Sequence, residues 1–388
     1  MEKIVSDIIH TLKQILPSHR PIPLHEPFFY GNEKKYIIDC IDSRFVSSIG
    51  NYVTEFENRI SEFTGSAFAV ATSNGTSALH AALITAGVQP GDEVLMPALT
   101  FIATANAAVY CGAVPHFIDS CPKTIGIDIE KLETYLETAT HIKNNTLINN
   151  STGRPVRAII PVHIFGMPVD MNRLQDLCQK FRLTIIEDAA ESIGSFCGTR
   201  HTGTFGSCGT LSFNGNKTIT TGGGGAVLCK DEDTAHRLKH LTTTARCTKA
   251  RWEYFHDRTG FNYRMPNINA ALGCAQLEQL PQFLTKKREL AARYAKAFDS
   301  VKGVHMLKEP EYGKSNFWLN TLILDKPDRK LLEDILETTN SMGIQTRPVW
   351  ALMNTLPMYR KCPSMPLECA WKLENSIINI PSSINLLD

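Results

Sequence analysis

Apolar residues Ile4, Ile8, Ile9, Leu12, Ile15 and Leu16 recur at helical spacing, which predicts an amphipathic helix over residues 3–16. Pro17, Pro21 and Pro23 end it. A second helix is expected after Asn32, through Tyr36, Ile37, Ile38 and Ile41. A third carries Phe56, Ile60 and Phe63, and Thr54 with Glu57 three residues on reads as its capping box. From residue 67 the pattern changes. Short apolar runs that suit buried strands lie at Ala67–Ala71, Glu93–Met96, Val114–Ile118, Arg157–Val162, Thr184–Glu187, Thr210–Phe213 and Ala226–Cys229. Between some of them fall helical stretches such as Thr76–Ala86, Ile102–Tyr110 and Leu174–Phe181. This alternation predicts an α/β domain with a largely parallel sheet. The polar, aperiodic stretch 141–154 is expected to be an exposed loop. After Pro281 the pattern predicts a long helix over Phe283–Phe298, a strand over Trp318–Leu324, a helix around Leu331–Met342 and an irregular end. The expected division is therefore an N-terminal segment with a large domain over 1–280, and a smaller domain over 281–388.

A length of 388 residues accommodates that division. Lys+Arg number 40 and Asp+Glu 39, so a net charge of +1 offers no global field for nucleic acid or an acidic membrane. The 11 cysteines are scattered without a CxxC pair, so no metal site is read from them. Dispersed cysteines in a chain of this length read as small buried hydrophobes in a reducing compartment. The opening residues lack the apolar core of a signal peptide, and no apolar run is long enough to span a bilayer. A cytoplasmic protein is expected, in which the sequons at Asn144, Asn150 and Asn216 go unused.

Three candidate sites lie where strands should end, the usual place for ligands in parallel α/β sheets. In Ser73-Asn74-Gly75-Thr76-Ser77 a glycine turn feeds a helix, offering backbone N–H groups and hydroxyls to a phosphate. No lysine follows at the spacing of a Walker motif. In Glu187-Asp188-Ala189-Ala190 an acid ends a strand, and the small residues after it leave room for something bulky. Asp188 could hold a cationic ring nitrogen through a charge-assisted hydrogen bond. In Ser212-Phe213-Asn214-Gly215-Asn216-Lys217 a lysine follows a strand and precedes the glycine run 222–225. A lysine in a dry site loses its proton readily and forms Schiff bases. Taken singly, each site also suits a plain structural role: a capped turn, a solvated turn, a surface lysine. In this order they fit one cofactor, pyridoxal 5′-phosphate, which needs an amine, an acid for its ring nitrogen and a phosphate cup.

The sequence resembles the nucleotide-sugar aminotransferases of the DegT/DnrJ/StrS type, within fold type I of the pyridoxal-phosphate enzymes. The matching stretches are Asn74–Leu79, Pro97–Asn106, Pro161–Gly166, Glu187–Gly194, Ser212–Gly225 and Gly260–Gly273. Leu24–Pro27, Gly31-Asn32-Glu33 and Val46–Gly50 look most like the LegC-like subgroup, linked to legionaminic-acid and related 4-amino-6-deoxy-sugar pathways. The resemblance implies a large domain with a mostly parallel sheet flanked by helices, plus a smaller C-terminal α+β domain. It also implies a homodimer with shared active sites. Lys217 would form the Schiff base, Asp188 would pair with the pyridine nitrogen and Phe101 would stack on the ring. Thr76, Ser77 and Ser212, at the Gly75 turn, would bind the phosphate, and Asn262 would reach the phosphate of the neighbouring subunit. His163 would lie near the cofactor. Glu191 stands where relatives often carry Gln or His beside the ring hydroxyl. Gly223 replaces the glutamate of the commoner Gly-Glu-Gly-Gly string.

The implied reaction moves an amino group from L-glutamate to a UDP-linked 4-keto-6-deoxy-N-acetylhexosamine. The alternative acceptor is GDP-4-keto-6-deoxymannose, giving a perosamine-type product. A dehydrating branch of the family carries histidine in place of the lysine, and Lys217 argues against it. A different class is a non-catalytic regulator that only binds the cofactor. Keeping both Lys217 and Asp188 favours catalysis.

Overall fold

The computed structural model describes residues 2–247 and 252–387. Its centre is a sheet whose strands run, edge to edge, Phe68–Thr72, Gly225–Cys229, Cys208–Ser212, Thr184–Asp188, Pro155–Ile159, Glu93–Pro97 and Val114–Ile118. Gly225–Cys229 is antiparallel to both neighbours, and the remaining pairings are parallel. The parallel strands are almost wholly buried, as the apolar runs require when helices cover both faces. Their C-terminal ends therefore converge on one edge, together with the start of Gly225–Cys229, where Thr72 and Ser212 both face Gly225 in register.

Several expectations need correction. The stretch 141–154 contains a hairpin, Thr140–Lys143 paired with Thr146–Asn149. Asn144 and Asn145 both take left-handed backbone angles (φ 50° and 60°), which a two-residue hairpin turn demands and asparagine tolerates. Thr54 is not a cap. Its helix spans Asn51–Thr64 and begins after Gly50, while Glu57 accepts the Ala71 N–H at 2.8 Å and pairs with Lys239. The helix expected after Pro281 is the second half of a longer one, Asn267–Phe298. Pro281 removes one N–H from that helix. Burial of Cys274, Leu277 and Leu280 before it, and of Phe283, Leu290 and Tyr294 after it, carries the helix through. The boundary expected at 280/281 thus falls mid-helix.

The chain's end is also less irregular than its pattern suggests. Ile377–Ile380 pairs with Asn320–Leu324 and Arg347–Pro348 in an antiparallel sheet that Val304–Met306 completes. The first helix, Glu2–Ile15, joins this C-terminal unit: Ile8 and Leu12 share a core with Leu290, Tyr294, Leu322 and Ile378.

Candidate active site

At the converging edge the strand Phe68–Thr72 turns through Asn74 into the helix Gly75–Thr85. Asn74 is extended and its Oδ1 accepts the N–H of Ser77 at 2.8 Å and its hydroxyl at 2.9 Å. That cap leaves the N–H groups of Gly75 and Thr76 available at the positive end of the helix. Two glycines make the crowding possible. A Cβ on Gly75 would stand 2.8 Å from the Ser212 Cβ, and one on Gly225 would stand 2.5 Å from the Asn74 carbonyl.

Lys217 and Asp188 meet in a cavity of about 280 Å³ that Gly75, Thr76, Phe101, Glu191 and Ser212 also line. Lys217 Nζ lies 3.1 Å from Glu191 Oε1 and 4.0 Å from the centre of the Trp318 ring. Glu191 Oε2 accepts the Phe165 N–H at 2.9 Å. Burial pushes the Glu191 carboxyl above its ordinary range, and Lys217 opposes that push. Asp188 is fixed on both oxygens: Oδ2 accepts from the Thr104 hydroxyl at 2.8 Å and Oδ1 from the Ala190 N–H at 3.2 Å. Each oxygen keeps a lone pair for a further donor. Phe101, just before the helix Ile102–Tyr110, is 52% exposed with its ring centre 6.0 Å from that of Trp350.

Other expected residues lie outside this cavity. Ser77 is buried behind the turn, bonded to Asn74 and Ser73. His163 is buried with both ring nitrogens occupied. Nδ1 accepts the Val169 N–H at 3.1 Å, so Nε2 carries the proton and donates to Glu187 at 3.1 Å. Its backbone N–H meets the Asp188 carbonyl at 3.1 Å, so it supports the acid-bearing strand end. Asn262 is exposed, and its Oδ1 accepts from Arg264 at 3.0 Å.

Thr104 and Asn316 were missed in the sequence. Thr104 lies three residues after Phe101, one helical turn along the same face, a spacing that could have found it. Asn316 had no local signal. Its Nδ2 donates to the carbonyls of Glu191 and Ile193, and its Oδ1 accepts the Trp318 N–H, tying the Glu191 and Trp318 segments together. A larger cleft of about 760 Å³, around Phe63, Arg200 and Lys230, lies at the opposite edge of the sheet, away from these groups.

The donor set suits pyridoxal phosphate. Helix N–H groups and the Ser212 hydroxyl can take a phosphate, the fixed Asp188 carboxylate a protonated ring nitrogen, and the Lys217 amine an aldehyde.

The family model for the DegT/DnrJ/EryC1/StrS aminotransferases matches residues 30–388. A GDP-perosamine synthase of Escherichia coli O157:H7 is 38% identical over 364 residues, covering 93% of each chain. One from Vibrio cholerae is 36% identical over 374 residues, covering 95% of each. Among solved structures, Helicobacter pylori PseC, an aminotransferase involved in the biosynthesis of pseudoaminic acid, superposes with a TM-score of 0.85 at 25% identity over 95% of each chain. On this likeness along nearly its whole length, the chain belongs to the DegT/DnrJ/EryC1/StrS family and is a pyridoxal-phosphate-dependent sugar aminotransferase of fold type I.

Proposed function

We propose that the protein transfers the amino group of L-glutamate to C4 of GDP-4-keto-6-deoxymannose, giving a GDP-linked perosamine-type sugar. The observation that carries this acceptor is the 38% identity, over 93% of both chains, to a GDP-perosamine synthase. It displaces the UDP-linked acceptor expected first, which rested on short N-terminal stretches resembling the LegC-like subgroup.

Bound pyridoxal phosphate supplies a conjugated cationic ring that stores the electron pair of a broken C–H bond. The chain's own groups do the rest. The Gly75 and Thr76 N–H groups and the Ser212 hydroxyl hold the phosphate, while Ser77 braces the turn through Asn74. Asp188, fixed by Thr104 and Ala190, keeps the ring nitrogen protonated. Lys217 Nζ takes the proton from the donor's Cα and, in the second half-reaction, returns one to the sugar carbon that receives nitrogen. Glu191 balances Lys217 while Nζ is charged. Phe101 covers one face of the ring. His163 acts from behind, through the Asp188 backbone. Asn262 reaches the site of a second copy, so the working unit is a homodimer. Cysteines scattered along the chain, most of them buried, suit a reducing cytoplasm.

A panel of UDP- and GDP-linked 4-keto-6-deoxy sugars, offered with glutamate, tests this reading by mass and NMR of the products. Amination of the GDP-linked mannose derivative is expected. Amination of UDP-linked sugars alone refutes the acceptor.

A further inference from the structure

Among the described residues, His240, Cys247 and Asp257 bring a ring nitrogen, a thiol and a carboxylate oxygen within 4.8 Å of one another, and none of the three lines the Lys217 cavity. His240 sits in the last turn of the helix Glu232–Thr242. Thr244 and Ala245 then take left-handed backbone angles (φ 67° and 53°), which turn the chain back over the helix end. Cys247 follows in the short strand Arg246–Cys247, paired with Phe255–His256, and Asp257 is the next residue. The backbone fixes this arrangement. Ala245 N–H donates to the His240 carbonyl at 2.9 Å, Phe261 N–H to the Leu241 carbonyl at 2.8 Å and Thr244 N–H to the Phe261 carbonyl at 3.0 Å. The His256 ring donates from Nδ1 to the Thr244 carbonyl at 2.8 Å. The three side chains thus meet on a frame that main-chain bonds hold in place.

Asp257 accepts from both neighbours. His240 Nε2 donates to its Oδ1 at 2.7 Å, and hydrogen bonds from His240 and the Cys247 thiol hold its carboxyl below the ordinary range. One carboxylate therefore faces an imidazole and a thiol whose protons a divalent cation can replace. Imidazole, thiolate and carboxylate are the ligands zinc takes, at about 2.0–2.1 Å to nitrogen, 2.0–2.2 Å to oxygen and 2.3 Å to sulfur. At tetrahedral angles those bonds set the ligand atoms about 3.3–3.6 Å apart. His240 and Asp257 then need to part by only about 0.6 Å. His240 and Cys247 are half-buried and Asp257 is exposed, so water can reach a fourth position. The thiol disfavours calcium and magnesium, which prefer oxygen ligands alone. No short spacing motif announces the cluster, because six residues separate His240 from Cys247 and nine separate Cys247 from Asp257.

We propose that His240, Cys247 and Asp257 form a zinc site, with Nε2, Sγ and one carboxylate oxygen as protein ligands and water as the fourth. Binding makes three protein–metal bonds. The Cys247 thiol proton leaves to solvent, and the imidazole keeps its one proton on Nδ1. The ion ties the hairpin to the helix end and so steadies the stretch leading to Asn262, which bridges Thr243. The site is independent of which sugar is aminated.

Zinc titration of chelator-stripped holoenzyme, with the bound metal counted by mass spectrometry, reads the site without turnover. The parent is expected to hold one zinc per chain. Cys247→Ser and His240→Ala should each weaken binding by about 100-fold, with the visible spectrum of the bound cofactor unchanged as a check on the fold. Co²⁺ in place of Zn²⁺ should add a thiolate-to-cobalt band to the difference spectrum. Cys247→Ser should abolish that band, while Cys121→Ser and Cys362→Ser, at other half-buried cysteines, should keep it. Zinc should also slow amide exchange over residues 255–257 in the parent and not in His240→Ala. No zinc held by the parent, equal binding by the parent and Cys247→Ser, or a cobalt band that survives Cys247→Ser overturns the site. Exchange that bound zinc leaves unchanged overturns the tie between hairpin and helix.

Discussion

Glu187 and Asp188 are adjacent acids that point to opposite faces of one strand and serve different ends. Glu187 accepts the N–H groups of Gly203, Phe205 and Gly206 at 2.6–2.7 Å and a hydrogen bond from His163 Nε2 at 3.1 Å. Burial opposes its charge, but His163 and those N–H groups hold its carboxyl below the ordinary range. Asp188 faces the cavity. Asp188→Asn should slow the half-reaction with glutamate about 100-fold, by stopped-flow absorbance, with a smaller effect on cofactor binding. An Asn variant as fast as the parent would mean that another group holds the ring nitrogen. Thr104→Val removes one hydrogen bond to the carboxylate and should slow the same step about 10-fold. The paired acids, Lys217 and the Gly75 turn were legible because their chemistry is written in adjacent residues. Trp318, Trp350 and Asn316 were not, because only the packing of the C-terminal unit brings them to Lys217.

The helix Asn267–Phe298 shows how far local rules reach. Proline normally ends a helix, so local rules place a break at Pro281. The uncut helix instead follows from buried residues on both sides, which no local window weighs. Pro281→Ala restores an N–H and should stabilise the protein by about 1–2 kcal/mol in reversible denaturant unfolding. A lower midpoint would show that the proline's bend is needed for packing. The same helix carries Lys287, fully buried and donating to the carbonyls of Trp318 and Ser382 at 3.1 and 2.9 Å. Burial lowers its pKa from 10.5 to about 7. Between these values the unfolded chain binds a proton that the folded chain does not, so this group's contribution to stability rises with pH across that window. Unfolding curves from pH 7 to 9 should show the rise, and Lys287→Met should lack it. The sheet itself was largely legible, since its strands are unbroken apolar runs. The hairpin at 140–149 was hidden by polar residues on an exposed pair of strands.

Across the whole molecule, the first helix and the last strand belong to one core although they lie at opposite ends of the chain. Large apolar side chains remain outside the cores, with Ile49 72%, Trp252 81% and Tyr254 80% exposed. If the sites are shared, mixing Lys217→Ala with Asn262→Asp chains should restore activity, because one site of the heterodimer then carries neither defect. Confirmed subunit exchange without activity would place each site within one chain. The central claim, that the Lys217 cavity holds the cofactor, is tested most directly by reducing the holoenzyme with borohydride and mapping the labelled peptide. The label is predicted on Lys217. A label on Lys287, the buried amine whose depressed pKa makes it the natural competitor, or on any other lysine, contradicts the account.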